Sequence, residues 1–289
     1  MVNSAFYPYT GRAFLRRGLK LHYLDEGHGD AVVMVHGNPS WSIYFRGLVE
    51  GLKDGHRLIV PDHIGCGLSD KPDDSRYDYT LASRVDDLEA LLDSLGLTEK
   101  VTLVLHDWGG MIGMAYACRH PERVKKLVIL NTGAFFLPSG KTFPWALRLC
   151  RTRLGALLVR GCNAFALAAT YVCTKKVPMS RQLRAAYLAP YGSWADRIAT
   201  LRFVQDIPLD AGDKSYDLVS RTQDSLMLLS HVPMLICWGM QDFVFDRHFL
   251  AEWVRRFPDA VVHRFPDAGH YVLEDEGPAI LKLVREFLK

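Results

Sequence analysis

Three residues able to do covalent chemistry stand just beyond short apolar runs: Asp107 after Val101–Leu105, Asp242 after Met234–Trp238, and His270 after Ala260–Phe265. All three runs read as strands, and the β-branched and aliphatic Val101–Leu105 as one buried on both faces. Asp107 is followed by Trp108, Gly109 and Gly110, then by Met111–Ala117, an apolar stretch that reads as a helix. A strand, a sharp turn through small residues and a helix together make a nucleophile elbow, which presents one side chain to a cleft. The side chain here is a carboxylate. An ordinary helix N-cap has the same local pattern, and Asp107 taken alone does not decide between the two.

A carboxylate at such a turn would attack an sp3 carbon, expel a leaving group and form an alkyl-enzyme ester. It is ionised near pH 7 and needs no base for that step. The first amides of the following helix would help keep it so. His270, oriented by Asp242, would then activate water against the ester or protonate a departing oxygen. The backbone amides of Asn38 and Trp108 suit an oxyanion hole, and their side-chain N–H groups suit a departing anion.

Each residue has a plainer reading. Asp242 suits a turn, with Asp246 as a competitor for the acid; His270 suits a packed loop, Asn38 a turn before Pro39, and Trp108 a core position. What joins them is their order, nucleophile then acid then histidine, each at a strand end. His22, His56, His63, His120, His231, His248 and His263 have no comparable position.

The elements needed to hold these residues are legible around them. Residues 13–27 alternate about Gly18 as an edge hairpin. Ala31–Val35 is a buried strand leading into the loop His36–Trp41, and a helix follows over about 42–53. Arg57–Val60 is a strand ending in the breaker-rich Pro61–Pro72. Apolar spacing predicts a helix from Thr80, a plausible cap, to Leu95, and Val124–Leu130 is another strand. This alternation implies a mostly parallel sheet with helices on both faces, with ligands bound beyond the C-terminal strand ends.

The alternation stops near Thr132. Residues 133–230 read as helical and apolar, without strands; a strand at 234–238, a helix near 247–256, a strand at 260–265 and a helix over 280–288 then complete the core. The expected organisation is an α/β core of residues 1–132 and 231–289 with a helical cap inserted at 133–230. Arg160 and Asn163 interrupt the most apolar parts of the cap, Leu154–Val159 and Ala164–Val172, so no membrane-spanning helix is expected.

The net charge of +3 over 289 residues, with no basic stripe interleaved with aromatics, excludes a nucleic-acid partner. The first ten residues lack a charged segment followed by an apolar one, so no secretory signal is expected. The six cysteines (66, 118, 150, 162, 173 and 237) have no metal-ligand spacing and read as small reduced core residues of a cytoplasmic protein. Neither a metal nor a cofactor is expected.

His36-Gly-Asn-Pro39, His106-Asp-Trp-Gly-Gly110, Trp238-Gly-Met-Gln-Asp242 and Gly269-His270 resemble the haloalkane dehalogenase branch of the α/β-hydrolases over essentially the whole chain. The resemblance implies the α/β-hydrolase fold with Asp107 as nucleophile, His270 as base, Asp242 as acid, and Asn38 and Trp108 as the halide-stabilising pair. Val35–Ser42, Pro61–Pro72, Asn131–Phe135, Arg202–Pro208 and Asp242–Asp246 are more similar still to the β-lactone decarboxylases of bacterial long-chain olefin biosynthesis. These convert a cis-β-lactone with two long alkyl chains into a cis-alkene and carbon dioxide. That resemblance implies a small hydrophobic substrate and assembly with the enzymes that make the β-lactone. Leu105 departs from the usual elbow, which has glycine two residues before the nucleophile. Haloalkane dehalogenase is the second reading. An epoxide hydrolase would need cap tyrosines, for which Tyr171, Tyr187, Tyr191 and Tyr216 are available, and a non-catalytic receptor would not need Asp107, Asp242 and His270 together.

Overall fold

Strand β5, Val101–Asp107, is buried at every position, as a run with no polar alternation requires. In the computed structural model, which describes residues 6–97 and 99–289, this strand lies near the centre of an eight-stranded sheet. The start of the chain read for a secretory signal lies outside the described residues at 1–5. The other strands are β1 Arg12–Arg16, β2 Leu19–Glu26, β3 Asp30–Val35, β4 His56–Pro61, β6 Val124–Thr132, β7 Met234–Gly239 and β8 Val261–Phe265. Their spatial order is β1-β2-β4-β3-β5-β6-β7-β8. Strand β2 is antiparallel to both of its neighbours, β1 and β4, and every pair from β4 onward is parallel.

Alternate residues of the central strands feed two cores. Val33, Val35, Leu103, Leu105, Leu127, Ile129 and Ile236 face one side; Val32, Met34, Val104, Val128, Leu130 and Leu235 face the other. Helices α2 Leu81–Ser94, α3 Trp108–Arg119 and α10 Arg247–Arg256 cover the first face, and α1 Arg46–Leu52 and α11 Val272–Leu288 the second. Thr80 caps α2 by accepting from the Ser83 amide (3.4 Å). Helix α11 begins eight residues earlier than its amphipathic stretch suggests. It bends at Glu276 (φ −134°), just ahead of Pro278, so Gly277-Pro278 marks a kink inside the helix.

Between β6 and β7 the chain forms α4 Trp145–Cys150, α5 Arg153–Cys162, α6 Ala164–Val172, α7 Arg181–Leu188, α8 Ile198–Gln205 and α9 Tyr216–Ser225, with no strand among the described residues. The last of these, α9, lies against α3 of the core. Helices α5 and α6 meet at 76° across Asn163, which is left-handed (φ 53°). Among the described residues no single helix is long and apolar enough to cross a membrane, and this bent pair alone reaches that length and composition when joined.

All six cysteines are free, and Cys66, Cys173 and Cys237 are buried. The reading of every cysteine as a core residue is corrected at Cys162, which is exposed because the last turn of α5 faces outward.

Candidate active site

Asp107 ends β5 with φ 51° and ψ −127°, a backbone state that costs a non-glycine residue on the order of 1–3 kcal/mol and persists only where its surroundings enforce it. The register between β5 and β6 shifts between His106 and Asp107, which turns the last residue out of the sheet. Thr132 Oγ1 donates to the Asp107 carbonyl and fixes the turn. Helix α3 can start at once because Gly109 passes directly against the Val35 carbonyl, where a Cβ would collide.

The loops after β3, β7 and β8 bring their residues to this turn. His270 Nδ1 donates to Asp242 Oδ2 at 2.8 Å, so its Nε2 faces Asp107, 3.6 Å from Oδ2. That separation is too long for a direct hydrogen bond. Asn38 donates its backbone N–H to Asp107 Oδ1 (2.5 Å), and the Trp108 amide reaches the same carboxylate. Asn38 Nδ2 donates to the Thr200 carbonyl on α8 (3.0 Å), leaving one amide hydrogen uncommitted. All five residues singled out in the sequence therefore meet at one place. The competitor Asp246 does not. It caps α10 by accepting from His248 N and pairs with Lys141.

Charge follows from this packing. Burial is the largest influence on Asp107 and raises its pKa; His270 and the amides of Asn38 and Trp108 only partly offset it. The helix amides thus soften the cost of burial without cancelling it. Burial would lower His270, but the carboxylates of Asp242 and Asp107 outweigh it and raise its pKa above the ordinary histidine value.

A cavity of about 440 Å3 opens in front of Asp107. Asn38, Trp108 and His270 share its floor, and the walls are apolar, among them Phe135, Phe143, Leu158, Val159, Phe165 and Phe249. Residues between β6 and β7 contribute to the lining together with the loops after β3, β5 and β7. Among the described residues no cluster of His, Cys, Asp or Glu is arranged to hold a metal ion.

Residues 30–277 match the α/β hydrolase fold family. The chain belongs to it. Over 97% of its length this α/β-hydrolase is 62% identical to a protein of Shewanella oneidensis named cis-3-alkyl-4-alkyloxetan-2-one decarboxylase, covering 89% of that protein. It is 48% identical, over 98% of the chain and 97% of the relative, to a Xanthomonas campestris protein of the same name. Among solved structures, a haloalkane dehalogenase of Agrobacterium tumefaciens superposes with a TM-score of 0.88 at 25% identity, covering 99% of this chain and 98% of that one.

The unusual Leu105 of this hydrolase has a local explanation. Its side chain fills the space where a Cβ on Gly113 of α3 would sit, so the bulk at 105 is accommodated by the glycine at 113. None of Tyr171, Tyr187, Tyr191 or Tyr216 lines the cavity; Tyr187, for example, donates its hydroxyl to Glu274.

Five residues of the site's support, Asn131, Asp275, His106, His63 and His36, were not singled out as functional in the sequence. Asn131 donates to Asp242 Oδ2 and to the Gly239 carbonyl (both 3.0 Å) and accepts from Gly239 N (2.7 Å). With the amides of Val244 and Phe245 on Oδ1, it fills the Asp242 carboxylate with donors. Asp275 accepts from the amides of Gly269, Lys175, Lys176 and Val177, tying the His270 loop to the segment after α6. His106 donates from Nε2 to the His270 carbonyl (2.9 Å), and burial holds its imidazole neutral. His63 N donates to His36 Nε2 (3.2 Å), and His63 Nε2 donates to the His36 carbonyl (2.9 Å), bracing the loop that carries Asn38. Their signal is long-range partnership, which residue type and spacing do not carry.

Proposed function

We propose that this chain is a β-lactone decarboxylase, converting cis-3,4-dialkyl-oxetan-2-ones with long alkyl chains into cis-alkenes and carbon dioxide. The observation that carries the reading is the 62% identity over nearly the whole chain to a protein named for that activity. The almost wholly apolar cavity in front of Asp107 supports it, since each buried CH2 contributes roughly 0.8 kcal/mol to binding. The enzymes that form β-lactones would supply the substrate and are its proposed assembly partners in olefin biosynthesis. The cytoplasm, where the six free thiols stay reduced, is its proposed location.

In this mechanism Asp107 attacks the ring carbon that bears the lactone oxygen. The C–O bond breaks, an ester to Asp107 forms, and the ring opens to a carboxylate. The uncommitted side-chain amide hydrogen of Asn38 and the indole N–H of Trp108 receive that anion, and His270, held by Asp242, places positive charge beside it. The C–C bond to the carboxylate then breaks; its electrons form the alkene as the ester oxygen of Asp107 leaves, and carbon dioxide departs. Inversion on attack followed by anti elimination keeps the two alkyl groups cis. No water is consumed. Attack at the carbonyl carbon is the competing route; mass spectrometry of the trapped adduct separates an alkyl ester of Asp107 from an acyl one. Residues 133–230, inserted between β6 and β7, are the proposed cap, with α9 at its end returning to the core.

Haloalkane dehalogenase is the second reading, favoured by the TM-score of 0.88 and by His270 Nε2 standing off Asp107 at 3.6 Å, a gap suited to a hydrolytic water. Supplying a long-chain cis-β-lactone and 1-bromoalkanes in parallel tests both. Alkene and carbon dioxide are the expected products; bromide release with intact lactone would replace the decarboxylase by the dehalogenase.

A further inference from the structure

The cap displays charge and apolar surface that the proposed chemistry does not use. Residues 133–195 contain nine Lys or Arg and no Asp or Glu, whereas the whole chain is only +3, so the rest of the molecule is net acidic. Arg148 and Arg153 are exposed on α4 and α5. Large apolar side chains stand exposed on the same helices and on α6: Trp145 (78%), Leu154 (60%), Leu157 (56%) and Tyr171 (61%). Isolated apolar side chains at a surface are ordinary, but a concentration of them marks an interaction surface.

The position of this surface is informative. Leu137, Trp145, Leu149, Val172 and Phe243 are exposed and also line the cavity, so the mouth of the cavity opens through it. Helices α5 and α6 together have the length and composition of a membrane span, but the 76° bend at Asn163 suits a segment lying along an interface. Exposed Trp and Leu flanked by Arg, without acidic residues, is the pattern of an element that rests among lipid headgroups. Lys141, Arg151 and Lys176 pair with Asp246, Asp213 and Glu276, but a neutral apolar partner would gain nothing from the cations that remain, exposed Arg148 and Arg153 among them; a negatively charged bilayer gains from both features.

We propose that the cap docks on an anionic lipid bilayer with the cavity mouth turned toward the acyl chains, so that a greasy substrate enters, and product leaves, without crossing water. The route of substrate rests on the decarboxylase reading; the docking itself rests on the surface. Co-sedimentation of the full chain with vesicles of phosphatidylglycerol and phosphatidylcholine, and with vesicles of phosphatidylcholine alone, tests it. The anionic vesicles are expected to retain the protein, with binding falling as salt rises. Arg148→Gln with Arg153→Gln should weaken partitioning by about fivefold per cation removed. Leu154→Ser with Leu157→Ser should weaken it further, while both variants keep the parent melting temperature and turn over a dissolved short-chain lactone at the parent rate. Absence of binding, or equal and salt-insensitive binding to both vesicles, overturns the proposal. A concentration-dependent dimer without lipid that the Leu154→Ser/Leu157→Ser variant abolishes also overturns it, assigning the face to a second copy. Vesicle binding without lactone turnover would sink the decarboxylase reading and leave the docking surface standing.

Discussion

In the core, buried carboxylates are held by specific donors; in the cap, residues 133–195 gather cations with no acidic residue in the same stretch. Asp62, fully buried, accepts from His22 Nδ1 and from the amides of Ser42 and Leu68. Burial would raise its pKa, but these donors and the histidine charges hold it at about 2. Cap cations instead lie over rings or cap helices: Arg160 over Trp194 and Arg184 over Tyr171, with Arg151 donating to the carbonyls of Val204, Gln205 and Ile207 at the end of α8. The contrast separates a part whose polar groups fix geometry from a part whose polar groups are on display. The two meet through a few charged joints. Glu274 takes two hydrogen bonds from Arg46 of the core and one from Tyr187 of the cap, and Asp275 binds three amides on the segment after α6.

If the core holds the chemistry, its loss should dwarf anything done to the cap surface. Replacing Asp107 by Ala should lower kcat by on the order of 10^4 or more and abolish the covalent adduct in mass spectrometry; residual alkene formation at a tenth of the parent rate would remove the nucleophile. Trp108→Phe, which keeps the ring and deletes the N–H, should cost on the order of a hundredfold in kcat/KM, and an unchanged value would take the indole out of anion stabilisation. Asp275→Asn probes the joint. It weakens four amide bonds at once, so we expect a loss of about 3 kcal/mol in denaturant unfolding, since hydrogen bonds to charged groups contribute about 1.5–3 kcal/mol each and are not additive. A stability within experimental error of the parent would show that the Asp275 joint contributes nothing to holding cap and core together.

A smaller effect lies in the pH profile. Asp107 must be ionised to attack and its pKa is raised, so kcat/KM should fall on acidification with an inflection above the ordinary carboxylate range. A rate that stays flat down to that range would mean that the ionisation of Asp107 does not limit turnover. The smallest expected change is at the exposed cap. Leu154→Ser with Leu157→Ser should leave kcat for a dissolved substrate within about twofold, as surface substitutions distant from the site usually perturb little.

The fold was legible where one signal dominates. Uninterrupted apolar runs marked β3, β5, β6 and β7, and Thr80 marked the start of α2, because burial on both faces and helix capping both leave local patterns. Asp107, Asp242 and His270 were legible through their place at strand ends. The early start of α11 was hidden because Gly277-Pro278 reads as a boundary while packing carries the helix through it. Asn131 and Asp275 were hidden because their partners lie 108 to 111 and 98 to 100 residues away, apart from the Gly269 amide. The raised pKa of Asp107 needed coordinates as well, since spacing shows the helix amides that lower it and not the depth of burial that outweighs them.

The trade of volume between Leu105 and Gly113 implies that the aim of the nucleophile is adjusted from behind. The leucine braces the outer turn like a wedge, and the helix gives way to receive it. Placing a methyl group at 113 would jam that wedge, and shaving 105 to glycine would leave the bend unsupported. The two positions therefore behave as one part and tolerate exchange only together.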